Sequence, residues 1–440
     1  MLSKVEEGYK ETKIGRIPAD WEVRSLNEVL EVMTDYVANG SFQSLRENVN
    51  VYDEEEFAYY VRLYDLRLGI GHSSQKYVDQ ASYNFLNKSS LYENEILIAN
   101  IGANVGEVFL MPRVNKPATI APNMILMRVN DKNDFRYIYY YLSSMIGQRE
   151  IANEISGSGQ PKLNKTGLKK VFVSVPNLAE QRRIAGVLSL IDEVIQKTED
   201  IIKQTEEVKK GLMQQLLTKG IGHTKFKKAE IGEIPEDWEV SHLSTYCQVN
   251  PTYRLDKGTL CDYVEMAAVN TDLPQVSYFD EREAGTGSGS RFKNGDVVFA
   301  RITPCTENGK TALISSMNTE VGIGSTEFIV LSPIRNKMDS KFLYYLVKWD
   351  KIRSYAISKM VGTTGRQRVP KEVFKDELIV AFPTLNEQKR IGEILYNFDV
   401  KISKEKEKKE KLHVLKKGLM QSLLTGKVRV KFDEAEVTQV

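Results

Sequence analysis

The chain has 440 residues, with 61 lysines and arginines against 59 aspartates and glutamates, a formal net charge of +2. At about 100–200 residues per domain this is room for two or three domains, each with a sizeable core. A content of 41% hydrophobic and 27% charged residues excludes a chain that is mainly disordered. No apolar run approaches the ~20 residues that cross a bilayer, and the polar start MLSKVEEGYKETK leads us to expect no signal peptide. Three cysteines exclude a disulfide scaffold and point to a reducing, cytoplasmic location. The near-zero charge argues on its face against a nucleic-acid binder, which usually carries a basic surplus.

The chain repeats itself. Residues 14–26 (IGRIPADWEVRSL) return as 231–243 (IGEIPEDWEVSHL), 176–192 (PNLAEQRRIAGVLSLID) as 383–399 (PTLNEQKRIGEILYNFD), and 210–220 (KGLMQQLLTKG) as 417–427 (KGLMQSLLTGK). Solenoid repeats are ~20–50 residues long and come in threes or more, so a repeat of about 210 residues is a duplicated domain pair. The ends are nearly identical and the middles diverge, as expected of two copies that share a scaffold and differ in what they contact.

In chain order, the first middle reads as mixed α/β. Strand-like runs are EILIA (95–99), NMILMRV (123–129) and VFVSV (171–175), β-branched and bounded by turn residues. A Tyr- and Leu-rich helix is predicted over Arg136–Met145. The polar loops offer Asn39, Ser41 and Gln43; Ser73, Ser74, Gln75 and Lys76; Asn104; and, before the next helix, Ser158, Gln160, Lys162 and Lys165. That helix starts after Pro176 and ends near Gly220, about 60 Å at ~1.5 Å per residue. Ile184, Val187, Ile191, Val194, Thr198, Ile201, Thr205, Val208 and Leu212 step by three and four, a predicted heptad seam widened by Leu188, Ile195, Ile202 and Leu216.

The second middle repeats the plan with strands DVVFA (296–300), EFIVL (327–331) and ELIVAF (377–382) and a predicted helix over Ser340–Ser354. Its candidates are Arg291, Arg301, Thr363, Thr364, Arg366, Gln367 and Arg368. The second long helix runs from Pro383 to Gly426, with Ile391, Ile394, Leu395, Phe398, Ile402, Leu412, Leu415, Leu419 and Leu423 as its apolar face. Glu405 with Lys409 and Glu407 with Lys411 have the favourable i,i+4 order.

The two loops before the long helices are locally basic. Residues 156–170 hold four lysines and no acid, and 363–371 hold two arginines, one lysine and no acid. Gln160, Arg366, Gln367 and Arg368 are side-chain types that reach base edges, and Lys162 and Lys165 suit phosphates. The local signal here outweighs the global charge balance.

Catalytic chemistry finds no foothold. The four histidines do not pair with Cys247, Cys261 or Cys305 at a metal-ligand spacing, and no P-loop or triad is legible, so no catalytic residue and no metal ligand is assigned. GTGSG (285–289) lacks the buried strand a dinucleotide loop needs. Asn250-Pro-Thr-Tyr253 lacks the second proline of the similar amino-methyltransferase motif.

The expected fold is α/β (α+β). Two duplicated mixed domains, 1–175 and 221–382, are separated by long helices 176–220 and 383–426 that pair as an antiparallel coiled coil with a pseudo-two-fold axis, before a tail at 427–440. The repeated blocks I-G-x-I-P-x-D-W-E-V-x-x-L, P-x-L-x-E-Q-x-R-I and K-G-L-M-Q-x-L-L-T, with the runs 96–106 and 125–130, resemble the specificity subunit of type I restriction-modification systems. The second half departs at Arg301-Ile-Thr-Pro-Cys305, which replaces the Asn-Ile-Gly-Ala-Asn type of the first.

The resemblance implies two target-recognition domains that read the halves of an asymmetric bipartite site on double-stranded DNA. It also implies two modification subunits bearing S-adenosylmethionine and adenine methylation, and restriction/translocase subunits bearing ATP and magnesium. This chain would hold no cofactor, contact no membrane and perform no catalysis. Two readings stay open beside it: a coiled-coil scaffold with two non-DNA ligand-binding domains, and the specificity subunit of a related system whose partner fuses methylase and nuclease.

Overall fold

The computed structural model describes residues 8–157, 159–285, 288–363 and 365–430. The chain forms two compact units, one of residues up to 196 together with 410 onward, the other of residues 197–409. Each long helix contributes one half to each unit.

In the first unit an antiparallel sheet carries strands in the order Val108–Leu110, Ile96–Ala99, Met124–Val129, Leu30–Asp35. Its central strand Ile96–Ala99 is buried throughout. The alternation of a strand explains how: Ile96 and Ile98 pack with Tyr137, Ile138, Ile184 and Leu188, while Leu97 packs with Tyr59, Val61 and Ile120 from a second sheet. That second sheet runs Val51–Tyr52, Lys76–Val78, Ala58–Val61, Ala118–Ile120, Ser90–Leu91, with one parallel pair.

The second unit repeats this plan. Its first sheet is Cys247–Val249, Phe328–Pro333, Val297–Ala300, Thr311–Leu313, and its second is Asp280–Glu283, Leu260–Val264, Gly322–Gly324, Ser290–Phe292. Val297 and Phe299 face the helices, Val298 and Ala300 the second sheet.

The nearly identical blocks form a clasp in each unit. In the first, buried Trp21 donates its Nε1–H to Glu180 Oε2 at 3.2 Å. Arg429 reaches the same carboxylate at 2.6 Å and Asp20 at 2.8 Å. In the second, Trp238 Nε1–H donates to Glu387 Oε2 at 3.2 Å, with His223 Nε2 2.9 Å from Oε1. Gly220 and Gly426 turn the chain there at φ +66 and +69. Gln181 and Gln388 match as well: each donates to the carbonyl of the proline that heads its helix and accepts the N–H of an aspartate, Asp134 or Asp339. The repetition of these blocks is therefore a requirement of closing the same scaffold twice.

Three expectations are corrected. The helix expected over Arg136–Met145 stops at Ser143, and the one expected over Ser340–Ser354 is two. Phe135–Ser143 breaks before Met145–Asn153, and Ser340–Lys348 before Asp350–Ser358. At the first break Ser144 is extended and its Oγ accepts the Gly147 N–H at 3.2 Å, a capping bond that competes with helix continuation. A Cβ on Gly147 would lie 2.1 Å from the Tyr141 carbonyl, so the close turn needs glycine.

The long helices span Leu178–Lys219 and Leu385–Leu423. The first helix's seam is displaced from the expected one. Leu188, Ile195, Thr198, Ile202, Thr205 and Leu216 are buried, and Val194, Ile201 and Val208 are exposed. Apolar residues on two adjacent stripes had allowed either register, and the partner helix selects one. In the second unit that partner runs antiparallel. Lys209 pairs with Asp399, Glu206 with Lys406 at 3.0 Å and Glu199 with Lys409 at 3.4 Å. Lys409 therefore turns to the facing helix instead of to Glu405. In the first unit Asp192 meets Lys416 at 2.5 Å.

Candidate nucleic-acid interface

In the first unit, three loops converge where the central strand Ile96–Ala99 ends. Pre-helical residues Pro161, Lys162 and Leu163 are tied to the strand tip by a bridge between Ile101 and Lys162, by Gly102 N–H to Pro161 O at 3.0 Å and by Leu163 N–H to Asn100 O at 2.9 Å. Lys162 also exchanges both backbone bonds with Ser156, which leaves its side chain exposed. The third segment brings Phe42, the first residue of a short helix, 80% exposed. Together these loops wall a cavity of about 330 Å³ with Tyr36, Phe42, Asn100, Asn123, Lys162 and Lys165 on its lining.

The sequence-predicted residues sort by this geometry. Gln160, Lys162 and Asn104 are exposed on the converging loops, and Ser41 caps the helix that presents Phe42. Lys165 belongs to the same cluster, but its ammonium is held by Asp35 at 2.9 Å. Gln43 is exposed and bonded to Glu47 at 2.9 Å. Asn39 is spent on structure: its amide holds Tyr36 O, Ser89 Oγ and the Lys88 N–H.

The group at 73–76 lies in the turn that leads into strand Lys76–Val78 of the second sheet. Ser73 and Ser74 are exposed there, and Lys76 pairs with Asp53. Gln75 is corrected outright. It is 1% exposed, and its amide bonds Tyr60 O, Lys76 O and the Gly71 N–H, so it reaches no base edge. Ser158 and Thr364 lie outside the described residues.

In the second unit the corresponding loops meet through a bridge between Ile302 and Arg368, Thr303 N–H to Gln367 O at 3.0 Å and Val369 N–H to Arg301 O at 2.8 Å. Thr363 and Arg366 are exposed, and Arg366 has no side-chain hydrogen bond or ion pair among the described residues. Arg368 is different: its guanidinium grips Glu327 at 2.7–3.1 Å, and that pairing holds the Glu327 carboxyl below its usual range. Arg368 therefore positions the loop, and Arg366 is the open cation. Arg291 sits on the second sheet and donates to Tyr253 O at 2.6 Å. Sequence reasoning missed Asn100 and Phe42: one reads as the end of a strand, the other as an ordinary helix residue.

The methyltransferase-like run is structural. Asn250 Oδ1 accepts the Val330 N–H at 2.8 Å, and the Tyr253 hydroxyl sits between Asp296 and Ser332. Among the described residues no group of three His, Cys, Asp or Glu could hold a metal ion, and no helix is long and apolar enough to cross a membrane.

A second feature also repeats. In the first unit a groove of about 580 Å³ borders the helix break and the second long helix, walled by Ser144, Met145, Ile146, Lys416 and Met420. Met145 is 67% exposed. The second unit's groove, about 480 Å³, is built from corresponding positions, with Trp349, Asp350, Lys209 and Met213.

A scaffold built twice, with matched basic loops and matched grooves, defines a recognition protein with two reading units. The family model described as type I restriction modification DNA specificity domain matches residues 18–207 and again 235–414. The chain belongs to this family, whose members are the non-catalytic DNA-recognition subunits of the restriction-modification complex. It is 29% identical over 438 residues to the type I restriction enzyme MjaVIII specificity subunit of Methanocaldococcus jannaschii, covering 97% of each chain. It is also 29% identical over 241 residues to the EcoAI specificity subunit of Escherichia coli, covering 52% of this chain and 39% of that one. Among solved structures, the type I restriction-modification S subunit from M. genitalium shares the fold with a TM-score of 0.55 at 15% identity, covering 92% of this chain and 96% of that one.

Proposed function

We propose that the chain recognises an asymmetric bipartite site on double-stranded DNA, each unit reading one half through its converging loops. The observation that carries this is the pairing of a common scaffold with different loop chemistry. Exposed Gln160 and Lys162 stand in the first unit where the second presents Arg366. Amide and guanidinium forks read different base edges, so the two half-sites differ and the whole site is not palindromic. The two matched grooves support docking of two copies of one modification subunit, because corresponding positions beside the long helices line both, Met145 and Met420 in one and Trp349 and Met213 in the other. Restriction subunits join that assembly in the cytoplasm. S-adenosylmethionine, ATP and magnesium belong to the partners, which supply the methylation and cleavage chemistry.

The test is exchange of residues 20–175 for another recognition domain, followed by mapping of methylated adenines. A change confined to one half-site supports the proposal. A change in both halves, or in neither, refutes it. A chain whose assembled complex ignores DNA at every salt concentration is instead a scaffold, since phosphate contacts make affinity fall steeply with salt.

A further inference from the structure

The two central strands end in corresponding residues, Asn100 after Ile96–Ala99 and Arg301 after Val297–Ala300. Their backbones are bound alike. Asn100 N–H donates to Asn123 O at 3.0 Å and Asn100 O accepts from Leu163 N–H at 2.9 Å. Arg301 N–H donates to Glu327 O at 2.9 Å and Arg301 O accepts from Val369 N–H at 2.8 Å. Only the side chains differ, and each leaves a buried polar atom without a protein partner: Asn100 Oδ1 and Arg301 Nε. Buried polar side-chain atoms are nearly always satisfied, because leaving one unmade is costly. The same position therefore bears that cost in both units, with opposite hydrogen-bonding character. The surroundings are those of the reading loops. Asn100 lines the cavity with Phe42, Lys162 and Lys165. Arg301 stands beside Glu327, whose carboxylate is already occupied by Arg368.

We propose that Asn100 and Arg301 are a matched pair of specificity-determining residues, Asn100 selecting an adenine in one half-site and Arg301 a guanine in the other. The amide matches adenine N6 and N7, and the guanidinium matches guanine O6 and N7. Unlike the fully bonded amide of Gln75, these two atoms are buried but unpaired, so each side chain can turn outward without breaking a bond there; the exocyclic N–H of adenine then fills Asn100 Oδ1, and a guanine acceptor fills Arg301 Nε. This rests on the DNA-reading function proposed above and names the bases it reads.

The test uses the chain assembled with its modification subunit and a pool of double-stranded oligonucleotides with both half-sites randomised. Asn100→Asp removes the donor and leaves only acceptors, so the first half-site loses its adenine at one position. Arg301→Gln converts one guanine of the second half-site to adenine. Each variant binds the original site roughly 5- to 150-fold more weakly. In each variant the untouched half-site is read normally, which controls for folding in the same molecule. Unchanged preferences with affinity within about twofold of wild type overturn the pairing, as does loss of both half-sites in either variant, which marks a structural role. A wild-type complex that selects no sequence at all overturns the DNA-reading function itself, a result distinct from either of these.

Discussion

Gly220 supplies the sharpest test of the clasp. Substitution by alanine places a Cβ 2.4 Å from Glu387 Oε1, 2.7 Å from His223 Cδ2 and 2.8 Å from Trp238 Cζ2, at φ +66. The left-handed backbone costs an L-residue about 1–2 kcal/mol. Crowding a packed site costs a further ~1–3 kcal/mol, because Glu387 must abandon Trp238 or His223 to make room. The sum is about 2–5 kcal/mol. At ~2–4 °C per kcal/mol for a body of about 200 residues, the second unit's melting transition falls by about 4–20 °C. The contrast is Gly211, inside the helix that ends just before Gly220, with nothing within 4 Å of its Cβ position. There alanine raises stability by ~0.5–1 kcal/mol, since glycine is a poor helix former. Calorimetry of the purified chain separates the two variants. A Gly220→Ala protein that melts with wild type, or a Gly211→Ala protein that melts far below it, refutes the packing argument.

Further outcomes follow from the same geometry. Burial lowers Lys348 to about 8, aided by Lys209 and Arg353 and opposed by Asp399 and Asp272. Between that value and the ordinary lysine value of ~10.4 the folded chain holds fewer protons than the unfolded one, so stability rises with pH across that window. Lys348→Met removes the rise, which urea unfolding at pH 7, 8 and 9 would detect as a flatter difference curve. Gln75→Ala strands the Gly71 N–H and two carbonyls, costing about 1–3 kcal/mol of stability while leaving half-site preference intact in a binding assay. Lys162→Ala reduces the slope of log affinity against log salt by about 1 without altering sequence preference, as a phosphate contact should. Arg366→Ala weakens the second half-site by about 1–3 kcal/mol in competition binding; unaltered affinity there would remove the residue from the interface.

Much of the scaffold is legible in the sequence because burial writes directly into apolar runs. ILIA and VVFA are buried on both faces, and a strand buried that way has no other composition open to it. The places that resisted reading depend on partners far along the chain. The seam of the first long helix was ambiguous between stripes containing Val194 or Ile195, and only the facing helix decides. Arg366 and Arg368 are two residues apart and identical in type, yet Glu327, 41 positions from Arg368, takes one and leaves the other open. Gln75 looked like a loop residue because its own segment is polar, while its amide is taken up by Tyr60 O of a neighbouring strand, Lys76 O and the Gly71 N–H. Asn100 was hidden by the strand it terminates.

The composition of the first unit also sets an order of events during synthesis. That unit needs Leu423, Leu424 and Arg429 to cover Trp21 and engage Glu180, although Trp21 and Glu180 leave the ribosome far earlier. At ~5–20 residues per second, about 210 residues of the second unit must pass first, a wait of roughly 10–40 s. The unit translated first is thus the last to close, and until then an aromatic side chain and a carboxylate stand uncovered on a nascent chain. A premature stop directly after residue 409 would spare every residue of the second unit and disable the first, so the damage would fall at the end opposite the lesion.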